Sequence, residues 1–170
     1  MRMIDSVIFF LLGFSLVIIQ TTLFSFFPLS LFTIDFSLII TIYLGFYRRP
    51  FQGSLLSFLL GYVLDVFSGG PSGLYAFLRV LSFGLSKALS GKIFINGFLP
   101  PMAVVFVFSI VDYLSMIILM KVFQLKLPGV SVMILTPLKQ AVLTALFSPL
   151  VFRLLHKIEG WQGKVVSKKG

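Results

Sequence analysis

Apolar runs of helical length, separated by short polar or basic breaks, make up nearly the whole chain. The runs cover residues 7–27, 29–47, 51–67, 74–90, 98–120 and 130–155. A helix rises 1.5 Å per residue, so a run of about 20 residues matches a hydrocarbon core of about 30 Å. The pattern predicts an all-α integral membrane protein of six transmembrane helices. They form a single membrane domain, residues 1–170, with a basic tail over 156–170. The first run lacks a small-residue cleavage site and is longer than a signal-peptide core, so it is expected to stay as a helix.

Small and polar positions recur every four residues within these runs. Thr33, Ser37, Thr41 and Gly45 mark the second, and Gly53, Ser57, Gly61 and Asp65 the third. Arg79, Ser82, Ser86 and Ser90 share a face of the fourth, and Thr136, Gln140, Thr144 and Ser148 lie four apart on the sixth. Spacing of four keeps side chains on one helix face, and small residues let helices approach closely in lipid. Gln20, Thr21 and Thr22 read as helix contacts on the same grounds. Pro100 and Pro101 suit the first turn of the fifth helix, where missing amide donors cost least. Pro137 and Pro149 are expected to bend the sixth.

The third and fourth runs meet at Gly61-Tyr-Val-Leu-Asp65-Val-Phe-Ser68-Gly69-Gly70-Pro71-Ser72-Gly73-Leu74. All six residues from Ser68 to Gly73 are Gly, Pro or Ser, the composition of a turn: glycine opens backbone conformations and Pro71 cannot extend a helix. The reading is a tight antiparallel hairpin whose two small-residue stripes pack together. Asp65 and Arg79 then lie near the same membrane surface. Asp65 is expected either to accept from the amides of the turn or to pair with Arg79. Ser72 reads as the N-cap of the fourth helix.

Composition agrees with lipid as solvent. Hydrophobic residues make up 58% of the chain, mean hydropathy is +1.09, and 11% of residues are charged. Soluble domains average about 25% charged. There is no cysteine, so disulfides and thiolate metal sites are excluded. The net charge of +9 is read as topology and contact with anionic membrane lipid, not as nucleic-acid binding. With both ends on one side, that side carries Arg2, Arg48, Arg49, Lys87, Lys92, Arg153, Lys157, Lys164, Lys168 and Lys169. The other side carries Lys121 and Lys126. The positive-inside rule then puts both termini in the cytoplasm and the Gly-rich turn outside.

Charges within membrane helices cost about 2.5–3.5 kcal/mol each on insertion scales and face partners or a cavity. Asp35, Asp65 and Arg79 fall toward the outer surface. Asp112 and Lys139 sit deeper, each nine residues from a helix end on the same side, and are placed to pair. Such charges fix helix packing or line a polar groove for a partner or small ligand.

Three function classes are compatible with a chain of this kind. Gly70-Pro71-Ser72-Gly73 matches the Gly-x-Ser-Gly of intramembrane rhomboid proteases, whose serine needs a histidine within hydrogen-bond reach. The one histidine, His156, belongs to the opposite membrane face, about 30 Å away, so no catalytic residue is assigned. No metal ligand set is present in the sequence either. A small-residue core with a polar outer hairpin is similar to the substrate-binding subunits of energy-coupling-factor vitamin transporters. Those carry Ala-x-x-x-Ala in the first helix, where this chain has Phe9 to Ser15 without alanine.

The stretch Leu60-Gly61-Tyr-Val-Leu-Asp65-Val-Phe-Ser68-Gly69-Gly70-Pro71-Ser-Gly73-Leu74 resembles the signature hairpin of the MreD family, the bacterial rod shape-determining membrane proteins. The number of apolar runs and the Arg48-Arg49-Pro50 turn agree with it. The resemblance implies a noncatalytic inner-membrane scaffold without cofactor, bound to the bitopic protein MreC. Through it the chain would join MreB and the peptidoglycan elongation enzymes. It also implies a fold shared with the vitamin-binding subunits. Asp65, Ser68, Gly69, Gly70, Pro71, Gly73 and Arg79 are then the partner-binding or structural hairpin.

Overall fold

The computed structural model describes residues 13–15, 18, 34–68, 73–93, 97–124 and 130–167. Every regular element among them is a helix: α1 Phe36–Tyr47, α2 Pro50–Ser68, α3 Leu74–Leu89, α4 Leu99–Val122 and α5 Val130–Ser167. α2, α4 and residues Thr136–Ile158 of α5 are long and apolar enough to cross a membrane. α1 has 12 residues, a rise of about 18 Å, which is short of a crossing by itself.

α1 is the centre of the bundle. Each residue from Ser37 to Gly45 is buried, so no face of this helix meets solvent or lipid over that length. α2, α3, α4 and α5 all pack on it. The surrounding helices are inverted relative to a water-soluble protein, with small and polar residues inward and large apolar residues outward. Phe51, Leu55, Phe58, Tyr62 and Val66 form the exposed stripe of α2, at helical spacing. A continuous apolar exterior of this kind is suited to lipid rather than water.

Glycine positions set the close contacts. A Cβ on Gly61 would lie 2.5 Å from both Ala76 Cα and the Tyr75 carbonyl oxygen. One on Gly53 would strike the Phe83 ring, and one on Gly45 the Ser86 Cβ. The contacts Gly61–Ala76 and Gly53–Phe83 run in opposite directions along the chain, so α2 and α3 are the expected antiparallel hairpin. Gly13 likewise lies against Leu60, where an added Cβ would come within 2.8 Å of Leu60 Cδ2.

Gly61→Ala is therefore expected to destabilise the chain by about 1–3 kcal/mol, because backbone on α3 cannot yield to the new methyl. Gly84→Ala is the control. Its Cβ would meet nothing within 4 Å, so it is expected to be neutral or to gain up to about 1 kcal/mol of helix propensity. Thermal unfolding in detergent checks both, and equal midpoints for the two variants would refute the packing argument.

Several boundaries differ from the sequence reading. The second helix was expected from residue 29, but Ile34 and Asp35 are not helical and α1 starts at Phe36. Asp35 is its N-cap, its carboxylate accepting from the Leu38 amide at 2.9 Å. A residue expected inside the helix thus begins it. The sixth helix was expected to end at residue 155, yet α5 continues to Ser167. No proline follows Pro149 to break the helix, and it runs on through Gly160 and Gly163 even though each costs about 1 kcal/mol relative to alanine. The N-cap of α3 is Gly73, in the left-handed region at φ +96°, and not Ser72. Most of the first run and the start of the second lie outside the described residues, Gln20, Thr21, Thr22 and Thr33 included, as do Gly69, Gly70, Pro71 and Ser72.

Candidate functional site

Asp65 ends the buried face of α2 and is 5% exposed. Its Oδ1 accepts from the Tyr75 amide at 2.8 Å and its Oδ2 from the Ala76 amide at 3.0 Å. Those are the second and third residues of α3, the amides that an N-cap side chain ordinarily satisfies. Gly73 has no side chain to offer, so the carboxylate of the preceding helix caps α3 instead. A negative charge there also meets the positive end of the helix dipole. Of the two roles expected for Asp65, the structure takes the amides. Ser68 sits one turn later, its hydroxyl donating to the Asp65 carbonyl at 3.3 Å.

Arg79 is fully buried and joins two carboxylates instead of Asp65. Its Nη2 donates to Asp35 Oδ2 at 2.5 Å and its Nη1 to Asp112 Oδ1 at 3.1 Å. Ser82, one turn along α3, donates to the same Asp112 oxygen at 3.1 Å. Asp35 in turn gives its backbone amide to Thr144 Oγ1 at 3.1 Å. The result is one polar network across four helices: Arg79 and Ser82 from α3, Asp35 at the start of α1, Asp112 from α4 and Thr144 from α5, with Asp65 of α2 capping α3 separately.

The network carries two carboxylates against one guanidinium and sits among apolar helices. Isolated, any of these charges would be expelled from such a medium. Held together, they fix how the helices register at this end of the bundle, called here the acidic end. Among the described residues no three His, Cys, Asp or Glu side chains come together as a metal site.

The expected Asp112–Lys139 pair is a correction. Arg153 lies over the Phe98 ring at the other end of the α4–α5 hairpin, 5.1 Å from its centroid. Fourteen residues along each helix from that contact bring Lys139 level with Asp112. Equal depth was read correctly, but the two residues use different faces. Asp112 turns toward α3, where Arg79 and Ser82 hold it, while Lys139 is exposed.

The opposite, basic end was not anticipated in detail. Tyr43 is wholly buried in α1, and its hydroxyl is 2.8 Å from His156 Nδ1. The His156 ring packs edge-on against Tyr43 and Tyr47. Lys87 Nζ donates to the Arg48 carbonyl at 2.7 Å, closing the end of α3 onto the turn after α1. Tyr43 and Tyr47, four apart and so on one face of α1, are the signal that was available for this contact.

Gly73 also changes its meaning. A Cβ there would meet nothing within 4 Å, so the residue is required by its backbone conformation and not by a close neighbour. Comparison with protein-family models, with curated proteins and with solved structures finds no match to this chain.

Proposed function

We propose that the chain is a noncatalytic membrane scaffold of the bacterial cell-shape and peptidoglycan elongation machinery, and that it binds the bitopic protein MreC. On this reading it crosses the inner membrane six times with both termini in the cytoplasm. MreB and the elongation enzymes are reached through the partner. The six-helix arrangement is that of the vitamin-binding transporter subunits, put to scaffolding.

The observation that carries the proposal is the use made of Asp65. The acid of the hairpin that resembles the MreD signature is consumed by two backbone amides of α3. A carboxylate so engaged shapes a hairpin; it is not presented to a substrate. The charge distribution supports the orientation, since Arg48, Lys87, Arg153 and Lys157 lie at the end opposite Asp65.

Co-purification of MreC from membranes tests the reading, at matched levels of each variant and alongside cell shape. Ser72→Ala is expected to leave both the complex and rod shape near the parent. Gly73→Leu, which forces a branched side chain into the left-handed region, is expected to weaken the complex and round the cells. A Ser72→Ala variant that keeps MreC but loses function would mean that the hairpin performs chemistry. Reporters fused after Gly170 and between Lys87 and Gly97 should read cytoplasmic, and one at Gly69 external. A cytoplasmic signal at Gly69 overturns the six-crossing topology.

A further inference from the structure

Two carboxylates and one guanidinium leave the buried network one negative charge in excess. Arg79 is wholly buried and the two acids nearly so, which keeps water from screening that charge. A carboxylate enclosed in this way needs a balancing positive charge. Lys139 does not provide it: the residue is exposed on α5 and makes no ion pair among the described residues. Tyr75 lies within electrostatic reach of Asp112 but brings a neutral phenol. Asp65 is engaged by the Tyr75 and Ala76 amides.

The excess falls on Asp112. Each oxygen of Asp35 has its own donor, the Leu38 amide on Oδ1 and Arg79 Nη2 on Oδ2. As the N-cap of α1, Asp35 also meets the positive end of that helix. Asp112 sits in the interior of α4, away from both termini. Both of its donors, Arg79 Nη1 and Ser82 Oγ, go to Oδ1. Its Oδ2 takes no hydrogen bond among the described residues.

A second oxygen stands unused beside it. Ser109 lies one turn before Asp112 on α4, is 9% exposed, and its hydroxyl has no hydrogen-bond partner among the described residues. The other serine of this helix, Ser115, returns its hydroxyl to the Val111 carbonyl at 2.8 Å. Residues three apart share a helix face, and side chains lean toward the N-terminus, so Asp112 leans toward Ser109.

We infer that the network takes up one monovalent cation at Asp112, an alkali-metal ion or a proton, on Oδ2 with Ser109 as the neighbouring oxygen. One leftover charge calls for one positive charge. Arg79 stands between the two acids and denies a divalent ion the several carboxylates it prefers. The way in is from the acidic end, since Arg79 is five residues, about 7.5 Å of helix rise, from the start of α3. With the cation bound, α3 and α4 meet across a neutral network. The inference goes beyond the scaffold reading and does not depend on it.

The test uses the full chain in detergent at neutral pH, comparing sodium or potassium chloride with choline chloride at equal ionic strength. An alkali-metal ion raises the unfolding midpoint over choline by about 4 °C or more. Asp112→Asn and Ser109→Ala should each abolish that difference. A proton leaves the midpoint indifferent to the salt and shows the infrared carbonyl stretch of a protonated carboxylic acid. That band should be lost in Asp112→Asn and kept in Asp35→Asn. The Asn carbonyl still accepts from Arg79 and Ser82, so Asp112→Asn is expected to fold. If it is not recovered, Asp112→Glu decides, because a signature unchanged by the longer side chain overturns the assignment to Asp112.

A salt preference that survives Asp112→Asn is screening and overturns the inference, as does a band that disappears with Asp35 instead. Absence of both signatures from the parent chain overturns it too. If either appears only after Lys139→Met, the lysine balances the network and no cation is taken up.

Discussion

Arg79→Met is expected to be the most damaging single substitution, lowering stability by about 3–5 kcal/mol. The guanidinium is wholly buried, and the Asp35 and Asp112 side chains are 10% and 12% exposed, so solvent does little to screen what remains. Without Arg79 the two carboxylates face each other across an apolar gap. The loss should appear as a strong drop in folded protein recovered from membranes. It should also shift the unfolding midpoint in detergent downward.

Most of that cost is stranded charge, and this makes a second prediction within the first. Asp35→Asn and Asp112→Asn added to Arg79→Met should recover much of the lost stability. Neutral amides replace the stranded carboxylates, and Asn still caps the Leu38 amide. A triple variant no more stable than Arg79→Met would mean that Arg79 is needed for its volume or for contacts beyond the pair. Arg79→Met folding like the parent would remove the network as a structural device altogether.

The helices themselves were largely legible because lipid imposes a simple rule on sequence. Apolar runs with only one or two charges each, broken by Pro50, by the Gly-rich turn and by Pro100, mark α2, α3 and α4 to within about a residue or two. The stripes of Gly and Ser foretold which faces approach, as Gly61 on Ala76 bears out. The partners of the charges were not legible. Asp35, Asp65 and Arg79 were assigned one end of the bundle, but depth alone cannot choose among them. The choice depends on rotation about each helix axis. Asp35 is at an N-cap and so points along its helix toward α3, whereas Asp65 lies close enough to bare amides to be captured by them.

Rotation also explains the missed pairing. Asp112 and Lys139 were brought to one depth by counting residues, and the Arg153–Phe98 contact supports that count. A charge on a helix in lipid turns toward the nearest fixed opposite charge, and for Asp112 that is Arg79 on α3. In the sequence Asp112 is a deep charge flanked by Ser109 and Ser115, which does not say which neighbouring helix it meets. The start of α1 failed for a different reason: no Gly or Pro stands between Pro28 and Asp35 to mark a break, and the capping bond to Leu38 reveals the boundary.

Asp65→Ala is expected to cost about 2–5 kcal/mol, since it strands two buried backbone amides at about 1–3 kcal/mol each. The amides belong to Tyr75 and Ala76, and no side chain at Gly73 can replace the lost acceptor. Fraying should begin there and travel along α3 toward Arg79, three to four residues away. Asp65→Asn keeps an acceptor oxygen but loses the charge that meets the helix dipole, so an intermediate cost is expected. Ser68→Ala removes one long, part-buried hydrogen bond to a carbonyl and should change little. Hydrogen exchange at the Tyr75 and Ala76 amides separates this account from a general loss of packing. Protection at those two sites should fall first in Asp65→Ala, ahead of the amides around Phe83 in the same helix. Uniform loss along α3 would show that Asp65 acts through the α2–α3 contact as a whole and not as the cap of the helix that follows it.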